Sequence, residues 1–220
     1  MSLPRPQRQG LQQLVHLLIA QILLRAPVRF LYRIRIHRDP RLDHLVCVYA
    51  ANHRSFADPP LVAMWTRYAN GFMARRSLWK LPVIGQVLML VGGVPVDRGA
   101  PTLRSISDAV AVVRGGRSLV IFPEGTRTRD GRLRTLREGP AMIARRAGVP
   151  MVPVYLDRSE RVWCPGRALP SLGSPPVRLR YGPPLLAPAS VPPRERDAWV
   201  TARAAAWMQA QERASLGPRR

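Results

Sequence analysis

The chain of 220 residues is long enough for one sizeable α/β core, and no change of composition along it indicates a second independent domain. Its 35 Lys and Arg residues outnumber the 13 Asp and Glu residues, and the formal net charge of +22 favours anionic partners, whether nucleic acid, acidic lipid or phosphorylated substrates. The two cysteines, Cys47 and Cys164, share no metal-ligand spacing, so neither a disulfide framework nor a zinc site is expected.

The segment Leu11–Leu24, LQQLVHLLIAQILL, has the periodicity of an amphipathic helix, with Gln12, Gln13 and His16 on the polar face. It is too short and too polar for a span of about 20 apolar residues, and arginines follow at once. This pattern predicts a helix that lies in a membrane interface with its basic flank facing acidic headgroups, although a helix packed on the domain has the same periodicity. No small-residue cleavage site follows the apolar stretch, so no secretory signal is expected and the protein should face the cytosol.

Beyond residue 40 the chain alternates strand-like apolar runs with helix-like segments. The predicted strands are Leu45–Ala51, Gly71–Ala74, Val94–Asp97, Leu119–Phe122, Met151–Leu156 and Val177–Tyr181, and the predicted helices are Pro59–Tyr68, Pro101–Arg114, Gly139–Ala147 and Glu195–Arg213. This alternation predicts an α/β fold with a mostly parallel central sheet flanked by helices. In such a sheet the functional groups gather beyond the carboxyl ends of the strands.

The stretch YAANHRSFADPP places a histidine just after a predicted strand. Asp58 precedes two prolines, which predicts a helix start at which the carboxylate caps free amides. On a continuous helix His53 and Asp58 would lie about 140° apart, so contact between them requires an irregular turn. An aspartate in contact fixes the imidazole tautomer and leaves the other nitrogen free to accept a proton. The chain has no Gly-x-Ser-x-Gly turn and no evident nucleophile, so the substrate is expected to bring the hydroxyl.

Two further stretches carry arginine after a predicted strand. In FPEGTRTRDG, Gly125 allows close approach of a ligand, and Arg127 offers a planar fork suited to phosphate, with Glu124 placed to orient it. In GGVPVDRG a glycine-flanked strand delivers Arg98. Each stretch alone is equally typical of a charged surface turn.

The series NHRSFAD, GGVPVDR, FPEGTR and VPMVPVYL, in this order over about a hundred residues, resembles the glycerolipid acyltransferase family that includes the 1-acylglycerol-3-phosphate acyltransferases. The resemblance covers roughly residues 45–185, including the links between the motifs. It implies that His53 is the general base and Asp58 its partner. It further implies an acceptor site for glycerophosphate built from Arg98, Glu124 and Arg127 and shaped by Gly125 and Thr126.

The N-terminal pattern and the resemblance together predict a membrane-associating segment at residues 1–40, an acyltransferase domain at 41–213 and a basic tail at 214–220. The hydroxyl of a lysophospholipid would attack the thioester of acyl-CoA or acyl-carrier protein, with no metal and no other cofactor. Lysophosphatidic acid is the expected acceptor and phosphatidic acid the product, because Arg98 and Arg127 together suit a phosphate monoester. The expected location is the cytoplasmic face of the cell membrane, as a peripheral or monotopic protein on anionic lipid.

The sequence departs from the family pattern at Pro95, where an aromatic residue is common, and at Leu136, where phenylalanine is usual. Both changes affect the expected acceptor pocket, so another lysolipid or an aminolipid is an alternative acceptor. The apolar run Leu81–Val96 is typical of core packing, of a wall for the acyl chain, or of a surface that dips into lipid.

A non-catalytic basic module that binds membranes or nucleic acid is the alternative from a different class. Intact His53 and Asp58 favour an enzyme. Nucleic acid is not an expected partner, because the chain has neither a basic face interleaved with aromatic residues nor a known nucleic-acid fingerprint. Since Lys80 is the only lysine, the arginine excess is also consistent with a biased base composition of the gene.

Overall fold

The computed structural model describes residues 25–66, 70–80, 94–96, 102–128, 130–164, 166–167, 169–173 and 175–216. The predicted amphipathic segment Leu11–Leu24, most of the apolar run Leu81–Val96, and Arg98 lie outside the described residues. The hypotheses about them stay predictions.

A seven-stranded sheet forms the centre of the molecule. Its strands are β1 (Arg35–His37), β2 (Val48–Ala51), β3 (Asn70–Arg75), β4 (Val94–Val96), β5 (Ser118–Ile121), β6 (Met151–Asp157) and β7 (Arg178–Tyr181). They follow the spatial order β1-β7-β6-β2-β5-β3-β4, and every neighbouring pair is parallel except β6 with β7. The prediction of a mostly parallel sheet is confirmed.

The described residues include the α-helices α1 (Asp58–Met64), α2 (Leu103–Arg114), α3 (Gly139–Ala147) and α4 (Arg196–Leu216). Residues 25–31 are helical as well. The bounds predicted for α3 are those observed, because Gly148 ends the helix in the left-handed region, with φ 76°. No helix within these described ranges is both long and apolar enough to cross a lipid bilayer.

The core has two halves, one on each face of the sheet. Along β2 the side chains alternate, with Val48 and Ala50 in one half and Tyr49 and Ala51 in the other. Helices α2, α3 and α4 cover the first face, while α1 and the helical segment 25–31 lie on the second. Burial on both faces explains why the central strands are continuous apolar runs rather than alternating ones.

Strand β1 was not predicted, because Arg35 and His37 interrupt any apolar pattern. It pairs with β7, and the preceding residues Tyr32 and Ile34 are buried in the core. The sheet therefore begins before residue 41, where the sequence placed the start of the domain. Helix α4 likewise continues to Leu216, into the predicted basic tail.

Candidate active site

The two main motif loops leave the sheet side by side. Strand β2 ends at Ala51 and is followed by the histidine motif, whereas β5 ends at Ile121 and is followed by the FPEGTR motif. The two strands are parallel neighbours, with Ala50 paired to Ile121, so both loops emerge at the same edge of the sheet. The prediction that these motifs meet beyond the carboxyl ends of the strands is confirmed.

His53 and Asp58 are in direct contact. The Nδ1 atom of His53 lies 2.9 Å from Oδ2 of Asp58, whose side chain is fully buried. The irregular loop before α1 allows this contact between residues five apart, as the sequence required. A carboxylate facing Nδ1 favours the tautomer that carries its proton there and leaves Nε2 free to accept another.

The carboxylate of Asp58 forms hydrogen bonds with the loop before α1 and does not cap the helix. Asp58 is the first residue of α1, and Ala57 is the N-cap without a side-chain cap. The Oδ2 atom accepts hydrogen bonds from the backbone N–H groups of Arg54 and Ser55, at 2.6 Å each. The prediction that Asp58 caps the helix amides is wrong, because the two prolines that follow it have no N–H and the next amide, that of Leu61, donates to the carbonyl of Ala57.

Residues outside the predicted set also hold His53 in place. The imidazole stacks on the Phe122 ring, with 4.0 Å between the centroids. The preceding residue, Asn52, is fully buried, and its side chain makes two hydrogen bonds to the backbone of Leu156, at 3.0 and 2.7 Å. The sequence signal for Asn52 was its position directly after a continuous apolar run. A polar amide that is buried there requires hydrogen-bond partners, which predicts a structural role.

Glu124 is buried against the histidine loop. Its Oε1 accepts from the backbone N–H of His53 at 2.9 Å, and its Oε2 accepts from that of Arg134 at 3.4 Å. Burial raises the pKa of the Glu124 carboxyl to about 7, although these two bonds and the nearby Arg54 favour ionisation. These two hydrogen bonds join Glu124 to both loops, and the orientation of Arg127 by Glu124 stays a prediction.

Arg127 stacks on an aromatic ring. Its guanidinium carbon lies 3.9 Å from the centroid of the Phe56 ring, a close cation–π arrangement. The intervening residues Gly125 and Thr126 are exposed, and Gly125 has a φ of 72° that turns the chain between Glu124 and Arg127. Phe56 was missed in the sequence, where nothing distinguishes it from any loop phenylalanine.

The model of the Acyltransferase family matches residues 33–157, which is more than half of the chain and includes both loops. The chain belongs to the acyltransferase family. It is 37% identical over 113 residues to the chloroplastic 1-acyl-sn-glycerol-3-phosphate acyltransferase BAT2 of Brassica napus, and the aligned region covers 50% of this chain and 32% of the relative. It is 32% identical over 143 residues to the 1-acyl-sn-glycerol-3-phosphate acyltransferase of Limnanthes douglasii, and the aligned region covers 63% of this chain and 50% of the relative.

The chain thus spans half or less of the length of these curated relatives. Among solved structures, the crystal structure of the 1-acyl-sn-glycerophosphate (LPA) acyltransferase PlsC from Thermotoga maritima is similar, with a TM-score of 0.67 and 21% sequence identity. The match covers 90% of this chain and 88% of that one. This likeness confirms the α/β acyltransferase fold.

Proposed function

We propose that the protein transfers a fatty acyl group from a thioester donor, acyl-CoA or acyl-carrier protein, to the hydroxyl of lysophosphatidic acid, giving phosphatidic acid. The observation that carries the proposal is the contact between His53 and Asp58 at the end of β2. The names of the relatives, which are 1-acyl-sn-glycerol-3-phosphate acyltransferases, support the choice of acceptor.

In the proposed reaction His53 is a general base toward the acceptor. Its Nε2 takes the hydroxyl proton as the acceptor oxygen forms a bond to the thioester carbonyl carbon. The tetrahedral intermediate then collapses with cleavage of the carbon–sulfur bond, and the imidazolium returns the proton to the leaving thiolate. Asp58 stabilises the imidazolium between the two steps, and no acyl group is attached to the enzyme.

The acceptor phosphate is assigned to Arg127, with Arg98 as a second ligand from the neighbouring motif. A guanidinium presents parallel N–H groups that match phosphate oxygens, and stacking on Phe56 restricts the plane in which Arg127 presents them. Gly125 and Thr126, exposed in the same loop as Arg127, are proposed to shape the acceptor site. Glu124 belongs to the same acceptor site in this proposal, and the two backbone amides that it binds hold the loops of that site together.

The proposal includes peripheral or monotopic association with the cytoplasmic face of the cell membrane. The net charge of +22 favours anionic lipid, where the lipid acceptor is found. The N-terminal segment up to residue 24 is the proposed anchor.

The proposal is tested by incubating the protein with a labelled acyl donor and a panel of lysolipids, and identifying the products by mass. The panel contains lysophosphatidic acid, a neutral lysolipid and an aminolipid, each with acyl-CoA and with acyl-carrier protein. Labelled phosphatidic acid formed by the wild type and not by His53→Ala is the expected result. If the wild type prefers the phosphate-free acceptors, the assignment of lysophosphatidic acid as the acceptor is wrong. If no acylated product forms, acyl transfer is rejected.

A further inference from the structure

Glu212 contacts both motif loops although it lies beyond the residues that the family model matches. It is located near the carboxyl end of α4. Its Oε1 atom accepts a hydrogen bond from Nη2 of Arg54 and another from the backbone N–H of Leu133, both at 2.9 Å. Arg54 directly follows His53, and Leu133 lies in the loop that follows Arg127. One carboxylate oxygen therefore joins the two loops of the candidate site.

Glu124 makes a parallel connection one residue away. It accepts from the backbone N–H of His53 and from that of Arg134. Two carboxylates thus connect residues 53 and 54 of the first loop with residues 134 and 133 of the second. One of them comes from the family motif and the other from the C-terminal helix, and we call the pair the two-carboxylate clasp.

The burial of Arg54 makes the contact with Glu212 energetically important. The Arg54 side chain is 7% exposed and the Glu212 side chain 17%. The guanidinium lies over the Tyr155 ring, 5.2 Å from its centroid, and Nη2 donates to the Tyr155 hydroxyl at 3.1 Å. A guanidinium removed from water requires a charged acceptor, so loss of the Glu212 carboxylate leaves a buried charge next to His53 without its ion pair.

The position of Glu212 on α4 does not favour a carboxylate by itself. The carboxyl end of a helix carries partial negative charge, so an acidic side chain in the last turns is destabilising unless a cation neutralises it. Arg54 and the Leu133 amide supply the compensating contacts. The acidic residue is thus explained by the loops it binds rather than by the helix that carries it.

We propose that Glu212 is a positioning residue for acyl transfer: through Arg54 and Leu133 it holds the His53 loop against the loop that follows Arg127. This inference rests on the proposed role of His53 as general base. Small displacements of a catalytic group lower turnover strongly, since a shift of about 1 Å can cost about 10²-fold.

The test compares Glu212→Ala, which removes the carboxylate, with Glu212→Gln, which keeps an oxygen that can accept both hydrogen bonds. Asp197→Ala is the matched control, because it removes an ion pair between α4 and Arg145 of α3, on an exposed surface. For each variant the thermal midpoint, kcat, and KM for donor and acceptor are measured below the midpoint of the least stable one. Amide hydrogen exchange is followed in residues 52–57 and 131–137.

Glu212→Ala is expected to lower kcat by about 10–10²-fold with little change in either KM, and to accelerate exchange in both loops by about tenfold or more. Glu212→Gln should show a smaller decrease in kcat and a smaller acceleration of exchange. Asp197→Ala should keep kcat within about twofold, with unchanged exchange in the loops. Equal losses of kcat in Glu212→Ala and Asp197→Ala at equal stability would overturn the positioning role.

A loss in Glu212→Gln as deep as in Glu212→Ala, with unchanged exchange, would overturn it as well, since it would indicate direct proton transfer by Glu212. The proposed function can fail separately. If the wild type acylates no acceptor, acyl transfer is rejected, and the exchange data still decide the clasp. If both loops are as well protected from amide exchange in Glu212→Ala as in the wild type, the two-carboxylate clasp is refuted. If this protection is lost in Glu212→Ala and kept in Asp197→Ala, the clasp is supported.

Discussion

At the scale of single residues, the proposed chemistry depends on what each side chain touches rather than on its type. The Asp58 carboxylate contacts Nδ1 of His53 and two backbone amides of the same loop, so it both orients the imidazole and shapes the turn. Glu124 accepts hydrogen bonds from two loop amides, and the Arg127 guanidinium stacks on the Phe56 ring.

His53→Ala should lower kcat by about 10²–10⁴-fold, the usual contribution of a positioned general base, while the protein stays folded. Steady-state kinetics with lysophosphatidic acid and circular dichroism provide the measurement. His37→Ala, at the edge strand β1, is the matched control and should retain activity. A folded His53→Ala protein with near-normal turnover would reject the mechanism.

Arg127→Lys should raise the KM for lysophosphatidic acid much more than the KM for the donor. Lysine keeps the positive charge but loses the two-pronged geometry and much of the stacking on Phe56. Arg41→Lys, at an exposed position with a carboxylate partner, controls for the loss of a guanidinium. Equal damage with a phosphate-free acceptor would show that Arg127 does not bind phosphate.

At the scale of elements, the site depends on how the ends of the strands are joined. Strand β2 lies between β5 and β6, and Asn52 ties its end to β6 through two hydrogen bonds to the backbone of Leu156. The loop of His53 begins directly after this connection. The position of the proposed base is therefore set by the sheet as well as by Asp58.

Asn52→Ala should lower the free energy of unfolding by about 2–4 kcal/mol, because it leaves the N–H and C=O of Leu156 buried without these partners. Denaturant unfolding measures the change. Gln211→Ala removes one hydrogen bond with Arg180 at a partly exposed position and should cost less than about 1 kcal/mol. Equal effects of the two substitutions would contradict the role given to Asn52.

At the scale of the whole molecule, charge and burial determine how the protein responds to its medium. The net charge of +22 gives a general attraction to anionic surfaces that salt weakens. Burial of Glu124 between the two loops links the protonation of one carboxyl to the stability of the entire fold.

The contribution of Glu124 to the stability of the wild type should be lost as the pH rises from about 4.5 to about 7. The pKa of Glu124 is raised by burial from 4.5 to about 7, so in this range the folded state keeps a proton that the unfolded state has released. Glu124→Gln should show a smaller loss across the same range, whatever its absolute stability. Unfolding midpoints at several pH values give the comparison, with the exposed Glu195→Gln as control. An unchanged pH dependence in Glu124→Gln would contradict the raised pKa.

Removal of residues 1–24 should move the protein from the membrane fraction toward the supernatant and weaken its binding to vesicles that contain anionic lipid. Residual binding should fall as salt rises. Arg25 is retained because its guanidinium lies 5.4 Å from the centroid of the Trp65 ring and contributes to packing near the end of α1. Membrane retention that is unchanged and insensitive to salt would indicate anchoring by Leu81–Val96 instead.

The sequence by itself determined the family, the α/β class and the two motif loops that meet at one edge of the sheet. Short apolar runs predict strands, and glycines mark helix ends such as Gly148, because these signals depend on neighbours along the chain. The contact between His53 and Asp58 was predictable for the same reason, since both residues lie in one turn.

Only the tertiary structure decided which distant groups share a contact. Strand β1 has no apolar pattern of its own and is ordered by pairing with β7. The antiparallel direction of β7 and the stacking of Arg127 on Phe56 are likewise set by packing. Arg54 and Glu212 meet although they are 158 positions apart, because a buried guanidinium is stabilised by any carboxylate that the fold brings near it, and local sequence patterns do not specify which one.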